Sequence, residues 1–296
     1  ARQIKRKRRG IPAVFRVVQS GSVFRNGYSF RGGVSPFRKL SLFLQIQTVD
    51  MKIALFQTDI AWNRPEANLQ KLREWMRYCE AGTNLVVVPE MFSTGFAVSP
   101  PVVAESMDGL TVTALLKESA RTGIAIAGSF ALRDRTPAGA ALFNRFLLVT
   151  PEGRIRTYDK RHLFRMGRER EIYRGGNVRK VFEYGGWRFC PQVCYDLRFP
   201  VWSRNRGDYD VLIYVANWPA SRREAWKVLL RARAIENQCY VIGCNRVGCD
   251  PATAYGGDSA ILDFKGNVLA EAISGGEEVL SAELDAEALR AFREKF

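Results

Sequence analysis

A chain of 296 residues with 47% hydrophobic content is long enough to bury one large core or two small ones, and its formal charge of +15 taken alone points to nucleic acid or an anionic surface. That charge is unevenly placed: residues 1–50 carry eleven Lys/Arg against one acid, Asp50, whereas residues 51–296 hold 34 basic and 29 acidic residues, which argues against a nucleic-acid partner for the bulk of the protein. No apolar run approaches the roughly 20 residues of a membrane helix, and the single histidine, His162, excludes zinc sites of several imidazoles and HExxH chemistry.

In chain order, ARQIKRKRRG opens a stretch rich in Arg, Ser, Gly and Phe that has no sustained period of a strand or a helix. Three readings stand for residues 1–50: an Arg-rich transit peptide, a nucleic-acid-binding arm, or translated upstream sequence before a start at Met51. The apolar VFRVV and LSLFLQI favour the last, and residues 1–50 are read as a basic extension outside the fold.

From Met51 the pattern is regular. KIALFQT is a buried strand, a helix opens at Asn63 and Pro65 and is stopped by Gly82, and LVVVPE is a second strand. GLTVTALLKESARTG is a helix with a C-terminal glycine and IAIAGSF a third strand, a succession that predicts parallel strands joined by crossovers. ALFNRFLLVT, RIRTYDK, VFEY and WRFCPQVC then read as a run of adjacent strands, the last two joined by a Gly185-Gly186 hairpin. VLIYVAN is a buried strand, SRREAWKVLLRARAIENQ a long helix, and CYVIGCN, SAILDF, VLAEAI and VLSAEL further strands. No linker divides residues 51–296, so the reading is one α/β domain with a mixed sheet system and helices outside.

Cys79, Cys190, Cys194, Cys239, Cys244 and Cys249 are read as reduced thiols, which places the protein in a reducing compartment such as the cytoplasm. Their spacings do not form the two close pairs of a Cys₄ zinc site, and neither a GxGxxG nor a GxxxxGK[ST] phosphate cradle follows a strand. No metal site is expected from these spacings.

Three polar residues stand where strands end: Glu90 after LVVVP, Lys160 after RIRTYD and Cys194 after WRFCPQV. Taken singly, each has a bland reading as a cap, a solvated charge and a buried small hydrophobe. Together they form a complete chemical set. A cysteine attacks as thiolate, a carboxylate can take the thiol proton and return it to an amine, and an ammonium can hold the oxygen of a tetrahedral intermediate.

VVVPEMFSTGF, YDKRHLF and CPQVCYDLRFP, in this order, resemble the glutamate, lysine and cysteine blocks of the nitrilase superfamily of carbon-nitrogen hydrolases. KIALFQTDIAWN, VLIYVANWP and WKVLLRARAIENQCYVIGCNRVG extend the resemblance over residues 51–296, and EMFSTGF, DKRHLFRMG and CYDLRFPVWSRN look like the omega-amidases, which hydrolyse the terminal amide of 2-oxo acids such as 2-oxoglutaramate. The resemblance implies a four-layer αββα sandwich, a small-molecule amide substrate, chemistry that needs neither a metal nor an organic cofactor, and pairing of subunits into a homo-oligomer, a dimer, through outer helices. It implies Glu90 as base, Lys160 as oxyanion holder, Cys194 as nucleophile and the backbone N–H of Tyr195 as a second oxyanion donor.

Glu169, seven residues before Gly176, matches a further glutamate of many relatives that would orient Lys160 or the water. Arg198 is a candidate fork for a substrate carboxylate, with an ion pair to Asp196 or Glu224 as its alternative. Phe92 and Phe96 are candidates for the pocket wall, and Asn217-Trp218-Pro219 is read as a strand-end turn that places Trp218 and its backbone groups near the substrate. Nitrilases, N-carbamoyl amidohydrolases and aliphatic amidases share the triad, so reaction class is better specified than substrate. A catalytically inactive member is the reading from another class. The chain ends at DAEALRAFREKF, where relatives continue, which leaves the C-terminal packing open.

Overall fold

The computed structural model describes residues 50–96, 98, 103–137 and 139–296; the expectation for residues 1–50 lies, apart from Asp50, outside them. The first half of the described chain runs β1 (Met51–Gln57), α1 (Pro65–Trp75), β2 (Thr83–Val87), β3 (Glu105–Ser106), α2 (Leu110–Thr122), β4 (Ala125–Thr136), β5 (Gly139–Val149), β6 (Ile155–Asp159) and the single turn α3 (Glu169–Ile172). The second half runs β7 (Phe182–Tyr184), β8 (Trp187–Val193), α4 (Pro200–Ser203), β9 (Val211–Ala216), α5 (Arg223–Asn237), β10 (Tyr240–Asn245), β11 (Val247–Cys249), β12 (Ala254–Gly256), β13 (Ala260–Leu262), β14 (Val268–Glu271), β15 (Glu278–Leu284) and α6 (Ala286–Arg293).

One sheet has the order β15-β1-β2-β4-β5-β6 with β3 beside β4, and the other the order β14-β13-β10-β9-β8-β7. β1, β2 and β4 are parallel, as are β8, β9 and β10, and each trio is flanked by antiparallel strands. The parallel strands read as continuous apolar runs because both of their faces are covered. In β1, Ile53 and Leu55 join the core that also holds residues of the second sheet, whereas Ala54 and Phe56 pack with Leu72 and Trp75 of α1 and Val112 and Leu115 of α2. On the second sheet, Trp226, Leu230 and Ala234 of α5 close over β10, where Gly243 admits them: a Cβ there would lie 2.4 Å from a Leu230 methyl. The layers are helices, sheet, sheet and helix, as the αββα expectation requires.

Two expectations change, and the C-terminal packing left open above takes a definite form. The strand at IAIAGSF continues to Thr136 and forms a long hairpin with β5, because ALRDRT alternates across the ladder despite its charge. The run of adjacent strands breaks after β6: β7 and β8 belong to the second sheet, and β15 returns to the first beside β1. The terminal segment is a helix, α6, capped by Asp285, whose side chain accepts from Ala288 N at 2.8 Å. Arg293 of α6 donates to Tyr209 O and Gln238 O and pairs with Asp210, and Phe292 packs on Phe264, so α6 closes the end of the sandwich where β9 and β10 begin.

Leu289 is the larger of the two buried apolar residues of this helix, 3% exposed, the other being Ala286. Leu289→Ala should destabilise the protein by about 2–4 kcal/mol in urea unfolding; a loss below about 1 kcal/mol would mean that α6 is not part of the cooperative unit.

Candidate active site

The catalytic candidates come from both sheets and meet at one end of the sandwich. Glu90 follows β2, Lys160 follows β6 and Cys194 follows β8. Because β6 is antiparallel to β5, and β5 to β4, it emerges at the same end as β2, which puts Lys160 beside Glu90. Lys160 Nζ lies 2.7 Å from Glu90 Oε1 and 2.9 and 3.1 Å from the two oxygens of Glu169, and all three side chains have no exposure. Glu169 is therefore an interior group, and its alternative reading as a surface charge in RERE is excluded.

Each carboxylate is held by further donors. Asn144 of β5 reaches both, from Nδ2 to Glu90 Oε1 at 2.7 Å and to Glu169 Oε1 at 2.9 Å. The backbone N–H of Asn217, just past β9, donates to Glu90 Oε2 at 2.8 Å, and that of Phe164 to Glu169 Oε2 at 2.7 Å. Gly176 lets the following loop close over Lys160: its N–H donates to Lys160 O at 2.9 Å, and a Cβ would lie 2.3 Å from Asp159 O.

Cys194 has φ +47°, the left-handed region that an L side chain enters at a cost of order 1 kcal/mol. The turn is held by Asp196, which is fully buried. Its Oδ2 accepts from Val193 N at 3.0 Å and from the Tyr158 hydroxyl at 2.8 Å, and its Oδ1 accepts from His162 N at 2.9 Å and contacts His162 Nδ1 at 2.7 Å. Tyr158 belongs to β6 and His162 follows Lys160 by two residues, so one carboxylate fastens the cysteine turn to the lysine segment. His162 also stacks on Phe199 with ring centroids 3.7 Å apart, a positioning arrangement.

The electrostatics follow from burial. Desolvation and the Glu90 carboxylate, which hydrogen-bonds the thiol, push Cys194 well above the ordinary thiol range against the pull of Lys160. Burial raises Glu169, Lys160 opposes it and Glu90 reinforces it, with a net upward shift. Burial would lower Lys160, but Glu169 and Glu90 outweigh it and hold the ammonium protonated. Cys190, four residues before Cys194, is fully buried and pushed up to about 12 by desolvation, which fits an inert structural thiol.

Glu90, Lys160 and Cys194 face a cavity of about 620 Å³, walled by Trp62, Phe96, Phe164, Tyr195 and Trp218. Arg198 stands at its edge, exposed, with its guanidinium 5.1 Å from the Trp218 ring centroid. Neither Asp196 nor Glu224 pairs with it among the described residues, so that alternative falls. Phe92 is a correction: it is 1% exposed and packs with Phe56, Val88, Val112 and Phe130 under the helices of the first sheet. The turn at Met91, φ +45°, precedes a Phe92 N–H bonded to Ser129 O, and it is Phe96 that reaches the cavity.

Asn144 and Asp196 were not singled out from the sequence as site residues. Each stands with one arginine in an otherwise largely apolar stretch, FNRF and CYDLRF, which was the available signal.

A family model for carbon-nitrogen hydrolases matches residues 52–294. The chain belongs to this family. As a carbon-nitrogen hydrolase it is 50% identical over 248 residues to an omega-amidase of Yersinia enterocolitica, covering 83% of this chain and 94% of that protein. It is 34% identical over 249 residues to a 2-oxoglutaramate amidase of Bacillus subtilis, covering 82% and 93%. Its fold is similar to that of a CN-hydrolase superfamily protein of Xanthomonas campestris that carries an arsenic adduct in its active site, with a TM-score of 0.79, 44% identity and coverage of 84% of this chain and 95% of that one.

Asp196→Asn replaces an acceptor of four contacts by a group with one acceptor oxygen. Unfolding free energy should fall by about 2 kcal/mol or more, since hydrogen bonds to a buried charge are worth about 1.5–3 kcal/mol each. An unchanged urea midpoint would show that the turn is held by other contacts.

Proposed function

We propose that this carbon-nitrogen hydrolase is an omega-amidase, hydrolysing the terminal amide of a small 2-oxo dicarboxylic acid monoamide such as 2-oxoglutaramate. The observation that carries this reading is the juxtaposition of a thiol, a hydrogen-bonded carboxylate and a buried ammonium on the floor of a cavity, with an arginine at its edge that pairs with no carboxylate among the described residues. The names of the relatives from Yersinia enterocolitica and Bacillus subtilis support the substrate class.

In the proposed cycle Cys194 is the nucleophile. Its thiol is held protonated at rest, so Glu90 takes the proton as sulfur adds to the amide carbon, and no free thiolate accumulates beside the two carboxylates. The amide oxygen becomes an oxyanion, received by Lys160 Nζ and the backbone N–H of Tyr195. In the resting site all three ammonium hydrogens face carboxylate oxygens, and the longest contact, 3.1 Å to Glu169 Oε1, is the one that yields. Collapse breaks the carbon–nitrogen bond, Glu90 returns its proton to nitrogen, and ammonia leaves a thioester on Cys194. Water enters, Glu90 takes its proton, and the second tetrahedral intermediate expels the Cys194 sulfur, which is reprotonated as the acid is released. Glu169 and Asn144 hold Lys160 and Glu90 in place. Arg198 pairs the remote carboxylate of the substrate through its planar fork.

The reading extends to the setting of the enzyme. Residues 51–296 form the catalytic unit and residues 1–50 add nothing to turnover. All six cysteines are free, which supports a cytoplasmic protein. Exposed Val228 and Ile235, two helical turns apart on α5, support pairing of two subunits through that helix.

The enzyme should turn over 2-oxoglutaramate and succinamate in preference to an N-carbamoyl amino acid or an aliphatic nitrile. Chains beginning at Ala1 and at Met51 should give the same rates, and Cys194→Ala should lower them by on the order of 10³-fold or more with the circular dichroism unchanged. Preference for the carbamoyl compound or the nitrile, or substantial activity in Cys194→Ala, would overturn the proposal.

A further inference from the structure

The cavity carries a second guanidinium besides that of Arg198. Arg222 ends the short 3₁₀ turn Ala220–Arg222 ahead of α5, lines the same cavity, and stands over the Phe164 ring at 5.4 Å. The two arginines share supports. The Trp218 indole lies under Arg198, and its Nε1–H donates to Arg222 O at 2.9 Å. Phe164, beneath Arg222, is tied to the buried charge cluster by its N–H bond to Glu169 Oε2 at 2.7 Å. Arg222 is thereby placed relative to Lys160 as well as to Arg198.

Neither guanidinium has a carboxylate partner among the described residues. Arg222 contacts Met166 Sδ at 3.7 Å, a weak acceptor, while its neighbour Arg223 is paired with Asp258. Asp250 also lines the cavity, but its oxygens are used: Oδ1 accepts from Ala252 N at 2.8 Å and Thr253 N at 2.7 Å, and Oδ2 accepts from the Tyr255 hydroxyl. Two unneutralised forks in a concave site with aromatic walls focus a positive potential into it. One carboxylate fills one fork. The second is left unmatched unless the substrate carries another oxygen acceptor near the first.

We infer that Arg222 is a specificity-determining residue that binds the 2-oxo oxygen beside the substrate carboxylate while Arg198 binds the carboxylate itself. This rests on the amidase reading above and adds to it the residue that separates 2-oxo acid monoamides from plain acid monoamides.

The test compares 2-oxosuccinamate with succinamate, which differ by the 2-oxo oxygen, in the wild-type full chain and in Arg222→Gln, a variant that keeps a planar head over Phe164. Arg222→Gln should raise KM and lower kcat/KM for 2-oxosuccinamate by about 10-fold, change kcat/KM for succinamate by less than about 3-fold, and so reduce the ratio of the two. Equal losses on both substrates, or no loss on either, would overturn the inference and leave the amidase reading intact. Failure of the wild-type enzyme to hydrolyse either compound would overturn both.

Discussion

Lys160 carries one positive charge between the carboxylates of Glu90 and Glu169, with all three side chains out of reach of water. Removing one partner of a buried ion pair typically costs about 3–5 kcal/mol, because the remaining charge is left without compensation. The cluster is tolerable here because each carboxylate also accepts a backbone N–H and shares the amide of Asn144. Two carboxyl groups meet one ammonium here, and Cys194 stands against them. A thiolate would be a third anion in the same enclosure, which is why burial and Glu90 hold the sulfur protonated although Lys160 draws it the other way. In the proposed cycle, proton transfer to Glu90 in step with attack is the chemistry that suits this arrangement.

The architecture exists around that meeting point. Each sheet contributes three parallel strands, and their succession is alike in the two halves: β1, α1, β2, α2, β4, then β5 and β6; β8, α4, β9, α5, β10, then β13 and β14. Glu90 and Lys160 leave the first sheet, Cys194 and Asn217 leave the second, and the bond from Asn217 N to Glu90 Oε2 crosses between them. Asp196 supplies another crossing, from the cysteine turn to Tyr158 and His162. The candidate catalytic groups are thus fixed at strand ends on a rigid scaffold, while α6 seals the opposite end.

Much of this was legible in the sequence because it is local. Gly123 at +71° stops α2 where the glycine predicted it, Gly185-Gly186 joins β7 to β8, and apolar runs ending in Glu90, Lys160 and Cys194 mark strand ends. What was not legible depends on partners far along the chain. Asn144 reads as one polar residue in a strand until Glu90 and Glu169 arrive from either side. Phe92 and Phe96 look alike in EMFSTGF, and only the backbone turn at Met91 separates the core residue from the pocket residue. Arg222 lies in a basic run, ASRRE, whose two arginines differ only in which one finds an acid. The likeness of the two halves escapes inspection because it is shared by the order of elements and not by their residues.

The central claim, that the buried carboxylates hold Cys194 as a thiol until substrate arrives, is tested by titrating that thiol. The rate of Cys194 carboxamidomethylation, followed by mass spectrometry across pH in the wild type and in Glu169→Gln, reports its thiolate fraction. The account predicts a midpoint above that of an ordinary thiol in the wild type, since burial, Glu90 and Glu169 raise it, and a lower midpoint in Glu169→Gln, where one of these contributions is removed and Lys160 keeps its pull. A wild-type thiol already ionised at neutral pH, or a midpoint unmoved or raised by Glu169→Gln, would contradict it.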